Sequence, residues 1–163
     1  MLKNVQRSTS RATSGRFAII ASRYNARYVD AMLRGARQEL KSAGAEIKVL
    51  RVPGAFEIPV AAARLLHGQE DHWSGVICLG VVLQGETEHA RLVAEAVTQS
   101  LAGLQMRTLV PVIHEVLLLE TREQAEVRCR DPRHNRGVEA AQTALVMGKL
   151  FRELPRRSSV IGA

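Results

Sequence analysis

Residues Gly75 to Val93, GVICLGVVLQGETEHARLV, decide how the chain is read. Gly75 to Leu83 holds only apolar residues and glycines, without alternation. Such a run suits a parallel strand buried on both faces. Gln84-Gly85-Glu86-Thr87-Glu88-His89 breaks it, and Val93, Val97, Leu101 and Leu104 resume at helical spacing. Strand, glycine elbow and helix place the elbow at the carboxyl edge of a sheet, where α/β folds bind ligands. Free backbone N–H groups of Gly85, Glu86 and Thr87 would face an anion there. His89 is expected one turn into the helix, close to that anion.

Outward from this stretch the same alternation repeats. Arg16 to Ser22 reads as a first strand, ended by Arg23-Tyr24-Asn25. Val29, Met32, Leu33, Ala36 and Leu40 follow the spacing of an amphipathic helix, closed by Ser42 to Gly44. Ala45 to Val52 alternates, as a strand near a sheet edge does. Pro53 to Pro59 is a second polar elbow, with Pro59 suited to the first turn of a helix reaching about Leu66. After the central helix, taken to about Gln105, Val110 to Leu119 is a fourth strand, interrupted by His114-Glu115. Glu120 to Glu123 starts a helix ending near Arg128 to Arg130. A basic loop, 131–137, precedes a last helix with Val138, Ala141, Leu145 and Gly148 on one face. Strands alternating with helices predict a three-layer αβα sandwich with a four-stranded parallel sheet and right-handed crossovers.

Composition narrows the class. The 163 residues are ordinary for a soluble domain, with 46% hydrophobic and 24% charged. No apolar run reaches the ~20 residues that cross a bilayer. Cys78 falls in the buried strand and Cys129 in a polar region, which makes neither a disulfide framework nor a metal spacing and suits a reducing compartment. The net charge of +7 invites a nucleic-acid reading. Of the 23 basic residues, however, six lie in 1–16 and after Leu154, which leaves 17 against 16 acidic ones. We therefore read 1–16 as a flexible basic tail, 17–154 as the domain and 155–163 as a C-terminal tail, with nucleic-acid contact through the tails as the sharper alternative. The Arg-, Ser- and Thr-rich leader has no apolar h-region, so it is not a secretory signal.

Four strand ends thus deliver Tyr24-Asn25, Phe56-Glu57, Gln84 to His89 and His114 to one edge. Tyr24 reads as packing or as a ligand contact, and Glu57 as a helix cap or an acceptor. His89, beside the anion cradle, is favoured as a proton carrier. Gly80 to Gly85 has the spacing of a phosphate loop, but Glu86 stands where a nucleotide triphosphate site needs Lys, which excludes that class. A single phosphate held by backbone amides and one Arg remains, with Arg128, Arg130, Arg133 and Arg136 as candidates.

From about Phe17 to Leu154 the chain resembles the 6,7-dimethyl-8-ribityllumazine synthase family. The marks are Ser22-Arg23-Tyr24-Asn25, Val52-Pro53-Gly54-Ala55-Phe56-Glu57-Ile58-Pro59, Gly85-Glu86-Thr87-Glu88-His89, Pro111-Val112-Ile113 and Asn135-Arg136-Gly137. The resemblance implies a flavodoxin-like sheet. It also implies condensation of 5-amino-6-(D-ribitylamino)uracil with 3,4-dihydroxy-2-butanone 4-phosphate, in the penultimate step of riboflavin biosynthesis. Tyr24 would stack on the pyrimidine. Ala55, Phe56 and Glu57 would line the ribityl pocket, and Val81, Val82 and Leu83 would meet the ring through backbone groups. Gly85, Glu86, Thr87 and Arg128 would hold the phosphate, and His89 would shuttle protons. His114, Arg128 and Arg136 would come from an adjacent chain.

The same resemblance implies no metal or organic cofactor, a cytoplasmic setting, no membrane contact and a pentamer with shared sites. Riboflavin synthase is a candidate partner. Some relatives close twelve pentamers into a shell. The loop from Arg128 to Asn135 lacks the insertion common in pentamer-only members, while Pro132 departs from the glycine-rich loop of shells. The assembly therefore stays open. Three departures stand out: His114-Glu115-Val116 replaces Phe-Gly-Val and adds a charge near the site, Arg136 replaces a common Lys, and Gln84 replaces a frequent Arg. The alternative reading is a non-catalytic paralogue that binds lumazine or flavin or forms a shell.

Overall fold

Four apolar strands set the frame: β1 (Arg16–Ser22), β2 (Glu46–Val52), β3 (Gly75–Leu83) and β4 (Val112–Leu119). In the computed structural model, which describes residues 15–68 and 72–154, they pair in parallel in the order β2-β1-β3-β4. The readings of the basic tails fall mostly outside the described residues. Between the strands run α1 (Ala26–Ser42), α2 (Ile58–Leu66) and α3 (His89–Thr108), and after β4 come the short α4 (Arg122–Ala125) and α5 (Arg136–Glu153). The expected three-layer, flavodoxin-like sandwich is what the chain forms, with β2 at one edge and β4 at the other.

The strands bury both faces. Phe17, Ile19, Ala21, Ile77, Leu79 and Val81 pack toward α1 and α5. Ala18, Ile20, Val76 and Cys78 pack toward α2 and α3. This two-sided demand explains why β3 reads as an unbroken apolar run. The chain winds from β1 outward to β2, then returns past β1 to β3, so the direction of winding reverses between β1 and β3. The carboxyl ends of those two strands flank the crevice where such sheets bind ligands.

Several boundaries differ from the sequence reading for local reasons. β4 starts at Val112 rather than Val110, because Leu109 takes a left-handed conformation (φ 55°) at the end of α3 and Pro111 has no N–H to give. α3 begins at His89 itself, so the imidazole sits at the helix mouth rather than a turn inside. α5 begins at Arg136 because Asn135 caps it: its Oδ1 accepts from the N–H groups of Gly137 (2.9 Å) and Val138 (3.2 Å). The Asn135 amide also donates to the carbonyls of Cys129 (2.6 Å) and Ala31 (3.3 Å), tying α5 to α1. The buried face of α5 is made of small residues, Gly137, Ala140, Ala141, Ala144 and Gly148, more than of the Val138 and Leu145 expected there.

Cys129 corrects another expectation. α4 continues into a wide π-helical turn, Glu126–Arg130, that tucks Cys129 fully inside. Cys78 is equally buried, and neither cysteine is disulfide-bonded. Burial pushes both thiols up to about 12, with the Glu115 and Glu126 carboxylates adding to the effect at Cys129. Both are therefore protonated near neutral pH and make poor nucleophiles.

Candidate active site

The loops after β1 and β2 are bonded to one another. The N–H of Arg23 donates to the Val52 carbonyl (2.8 Å), and that of Tyr24 to the Pro53 carbonyl (3.0 Å). Asn25 adopts the left-handed conformation (φ 55°), and its side-chain amide reaches the Val81 carbonyl at 2.8 Å. Three strand ends are thereby held together. Tyr24 is left 73% exposed and Phe56 61% exposed, two aromatic faces with little packing in this chain. Ala55 is buried beneath them.

Glu57 braces the turn that leads into α2. Its Oε2 accepts from the Gly54 N–H at 2.8 Å, which stabilises the single 3₁₀ turn Ala55–Glu57. Its Oε1 has no hydrogen-bond partner among the described residues and is free to accept a hydroxyl.

The elbow after β3 is open. Val81 is buried and Val82 and Leu83 are half-buried, whereas Gly85 to His89 are exposed. The N–H groups of Gly85, Glu86 and Thr87 meet no backbone acceptor among the described residues. Instead the Gln84 side chain donates to the carbonyls of Gly85 and Thr87, both at 3.0 Å. The 20-residue α3 ends its dipole here, which favours an anion. Glu88 would oppose that, but Arg91 bonds it at 2.6 Å and continues to Glu95 at 2.5 Å.

His114, Arg128 and Arg136 do not join this cluster. They line a groove of about 790 Å³ along β4, the open sheet edge. From His114 to Leu119, whose carbonyl meets the Gln84 N–H, the strand rises about 17 Å at ~3.3 Å per residue. No imidazole spans that distance, so His114 stands apart from the elbow within one chain.

Within the groove the side chains take distinct states. His114 Nε2 lies 2.9 Å from Thr98 Oγ1, and that hydroxyl donates to the Ala94 carbonyl at 2.8 Å. Thr98 therefore accepts from Nε2–H. Glu115 points to the opposite face of the sheet, 6% exposed, where Arg136 grips both its oxygens (3.0 and 3.1 Å). It lines the same groove as His114, with its carboxylate held on Arg136. Burial pushes the Glu115 carboxyl above its ordinary range, against the pull of Arg136. Arg136 also bonds Glu139 at 2.7 Å.

This resolves the four candidate arginines. Arg130 is paired with Glu126 (2.6 Å), Arg133 with Asp131 (2.8 Å) and Arg136 with two carboxylates. Arg128 alone of the four has no ion pair or hydrogen bond among the described residues. Asn25 and Thr98 were not singled out by the sequence reading as site residues. Asn25 carried one signal, a turn-forming residue directly after a strand, and Thr98 carried none on a helix surface.

Elsewhere, a cavity of about 560 Å³ lined by Trp73, Leu109, Pro111 and Phe151 lies at the amino ends of β3 and β4 and contains none of these residues. No group of His, Cys, Asp and Glu able to hold a metal occurs among the described residues. No helix among them is long and apolar enough to cross a membrane.

Comparison with known proteins gives one family. Its model, described as 6,7-dimethyl-8-ribityllumazine synthase, matches residues 14–152. A protein of that name from Xanthomonas campestris pv. campestris (strain B100) is 44% identical over 148 residues, covering 89% of this chain and 95% of the relative. One from Stenotrophomonas maltophilia (strain R551-3) is 43% identical over 145 residues, covering 87% and 92%.

Proposed function

The chain belongs to the 6,7-dimethyl-8-ribityllumazine synthase family, and from that premise we propose how its own residues divide the work. The reaction is the condensation of 5-amino-6-(D-ribitylamino)uracil with 3,4-dihydroxy-2-butanone 4-phosphate to give 6,7-dimethyl-8-ribityllumazine, phosphate and water. One observation carries the assignment of roles: the unpartnered amides of Gly85, Glu86 and Thr87 adjoin His89 at the mouth of α3.

The amides and the helix end hold the phosphate. Arg128 adds a guanidinium fork, supplied by a neighbouring copy because its own groove lies along the β4 edge. Tyr24 stacks on the pyrimidine from one side, and His114 of the neighbour approaches it from the other. Ala55, Phe56 and the free Glu57 oxygen receive the ribityl chain, and Arg136 borders it from the neighbour. Val81, Val82 and Leu83 fix the ring through backbone groups.

Held together, the pyrimidine amine attacks the ketone and, with loss of water, forms an imine. Loss of the C3 proton of the butanone then expels phosphate from C4, the resulting enol becomes a ketone, and the second amine closes the ring on it with loss of another water. Pairing the substrates lowers the entropic barrier. His89 takes the proton from the attacking amine and returns it to the departing hydroxyl, a contribution of ~10²–10⁴-fold. Bringing His114 to the elbow takes a second copy, and a pentamer would bring a strand-end cluster of one copy to the β4 edge of the next. A cytoplasmic setting agrees with two free buried thiols.

The test is product formation from both substrates, followed by lumazine absorbance and fluorescence. The parent should exceed the spontaneous background, and His89→Ala should lose most of the excess while keeping its assembly. Background-level product in the parent, with lumazine binding retained, favours the non-catalytic paralogue.

A further inference from the structure

We propose that Gln84 is the positioning residue that aims the Glu86 amide of the phosphate cradle and steadies the elbow around it. The inference rests on the reading of Gly85 to Thr87 as that cradle.

Gln84 is anchored before it acts. Its backbone N–H donates to the Leu119 carbonyl at 2.8 Å, one step beyond the end of β3. The side chain therefore leaves from a fixed point on the sheet. Its two amide hydrogens are both spent on carbonyls, those of Gly85 and Thr87, each at 3.0 Å. Two acceptors leave no choice of orientation: the NH₂ group must face them.

Planarity then transmits the constraint. No described peptide bond is cis. In a trans peptide the C=O and the following N–H point in opposite directions. Pinning the Gly85 carbonyl toward Gln84 turns the Glu86 N–H away from it. Pinning the Thr87 carbonyl does the same to the Glu88 N–H. One side chain thus sets the direction of one cradle amide, that of Glu86, and of the neighbouring Glu88 N–H at the mouth of α3.

The elbow has no other brace. Gly85 to Thr87 are exposed, and a β-carbon added at Gly85 would meet nothing within 4 Å. Unbraced, these peptides would sample many orientations, and ordering them would fall on the ligand. A neutral amide suits this position, because bracing two carbonyls needs two donors and no charge.

Gln84 touches no reacting atom, so its removal should weaken one substrate and spare the chemistry. The experiment compares the parent with Gln84→Met, which keeps the length and removes the donors, and Gln84→Glu, which keeps the shape and repels both carbonyls. The readouts are KM for each substrate, kcat, and competitive inhibition by inorganic phosphate. Both variants should raise the phosphate-substrate KM and the phosphate inhibition constant about five- to tenfold, the effect of one or two lost hydrogen bonds. The pyrimidine KM and kcat should stay within about twofold.

Unchanged phosphate affinity in the Glu variant overturns the role, even where the Met variant assembles poorly. An equal rise in both KM values overturns it as well, since that marks general disorder of the loop. An active parent that inorganic phosphate does not inhibit overturns the cradle itself, and this inference with it.

Discussion

The side-chain amide of Asn25 donates to the carbonyl of Val81 at 2.8 Å, joining the loop after β1 to β3 across the point where the sheet changes its direction of winding. Asn is one of the few residues that takes the left-handed backbone there at low cost. One residue thus places Tyr24 relative to Val81, Val82 and Leu83. Asn25→Ala loses both the backbone fit and the bond, and leaves a buried carbonyl without its donor. We expect a loss of about 2–3 kcal/mol, read by urea unfolding at fixed protein concentration. Asn25→Gly keeps the backbone fit and should recover about a third of it. Equal losses in the two variants would show that the amide bond does all of the stabilising.

The free state of Arg128 separates it from its neighbours. Arg128→Ala should raise the phosphate-substrate KM about ten- to a hundredfold, the range of a charge-assisted hydrogen bond. Arg130→Ala and Arg133→Ala break only exposed pairs with Glu126 and Asp131 and should change it less than about twofold. Mixing Arg128→Ala subunits with His89→Ala subunits provides the second reading. If sites are shared between copies, reassembled mixtures regain part of the parental activity. Strictly additive residual rates would mean that each chain is self-sufficient.

Gly137 lies against α1 so closely that a β-carbon there would collide with the carbonyl of Met32. The obstacle is backbone, which cannot swing aside as a side chain does. Gly137→Ala should therefore unfold the protein or shift it by several kcal/mol, at or beyond the ~4–5 kcal/mol end of point-mutant effects. Gly85→Ala is the control, since open space surrounds that position. Circular dichroism and thermal melts should be parental for Gly85→Ala and lost or strongly shifted for Gly137→Ala.

The buried Glu115 carboxyl carries a pH signature whose sign follows from its environment. Burial raises its folded value above the ordinary carboxylate range, and the Arg136 fork offsets that only in part. A carboxyl raised in the folded state binds its proton more tightly there than in the unfolded chain. Its contribution to stability is therefore fullest in acid and is lost as pH rises through the raised value. Stability of the parent relative to Glu115→Gln should fall across that window and then level off. A difference that grows in favour of the parent as pH rises would show that Arg136 outweighs desolvation.

The amino-acid sequence by itself determined the layered fold, because burial on two faces demands an unbroken apolar strand and burial on one face demands helical spacing. Both demands are written in consecutive residues, as in Gly75–Leu83 and Val93–Leu104. It also named His89, Glu57 and the Gly85–Thr87 amides, since each sits between the end of a strand and the first turn of the next helix.

What it could not specify were relations between distant positions. Cys129 lies in a polar stretch of sequence, and only the π-helical turn shows it folded inward. Glu115 read as a charge near the site, and its pairing with Arg136 came only with the packing of α5 against β4. Four arginines looked equivalent until three found carboxylates. Asn25 met Val81 only when β1 and β3 became neighbours. Local periodicity encodes which face of an element is buried. Only the packed chain decides which polar groups find partners and which are left for a ligand.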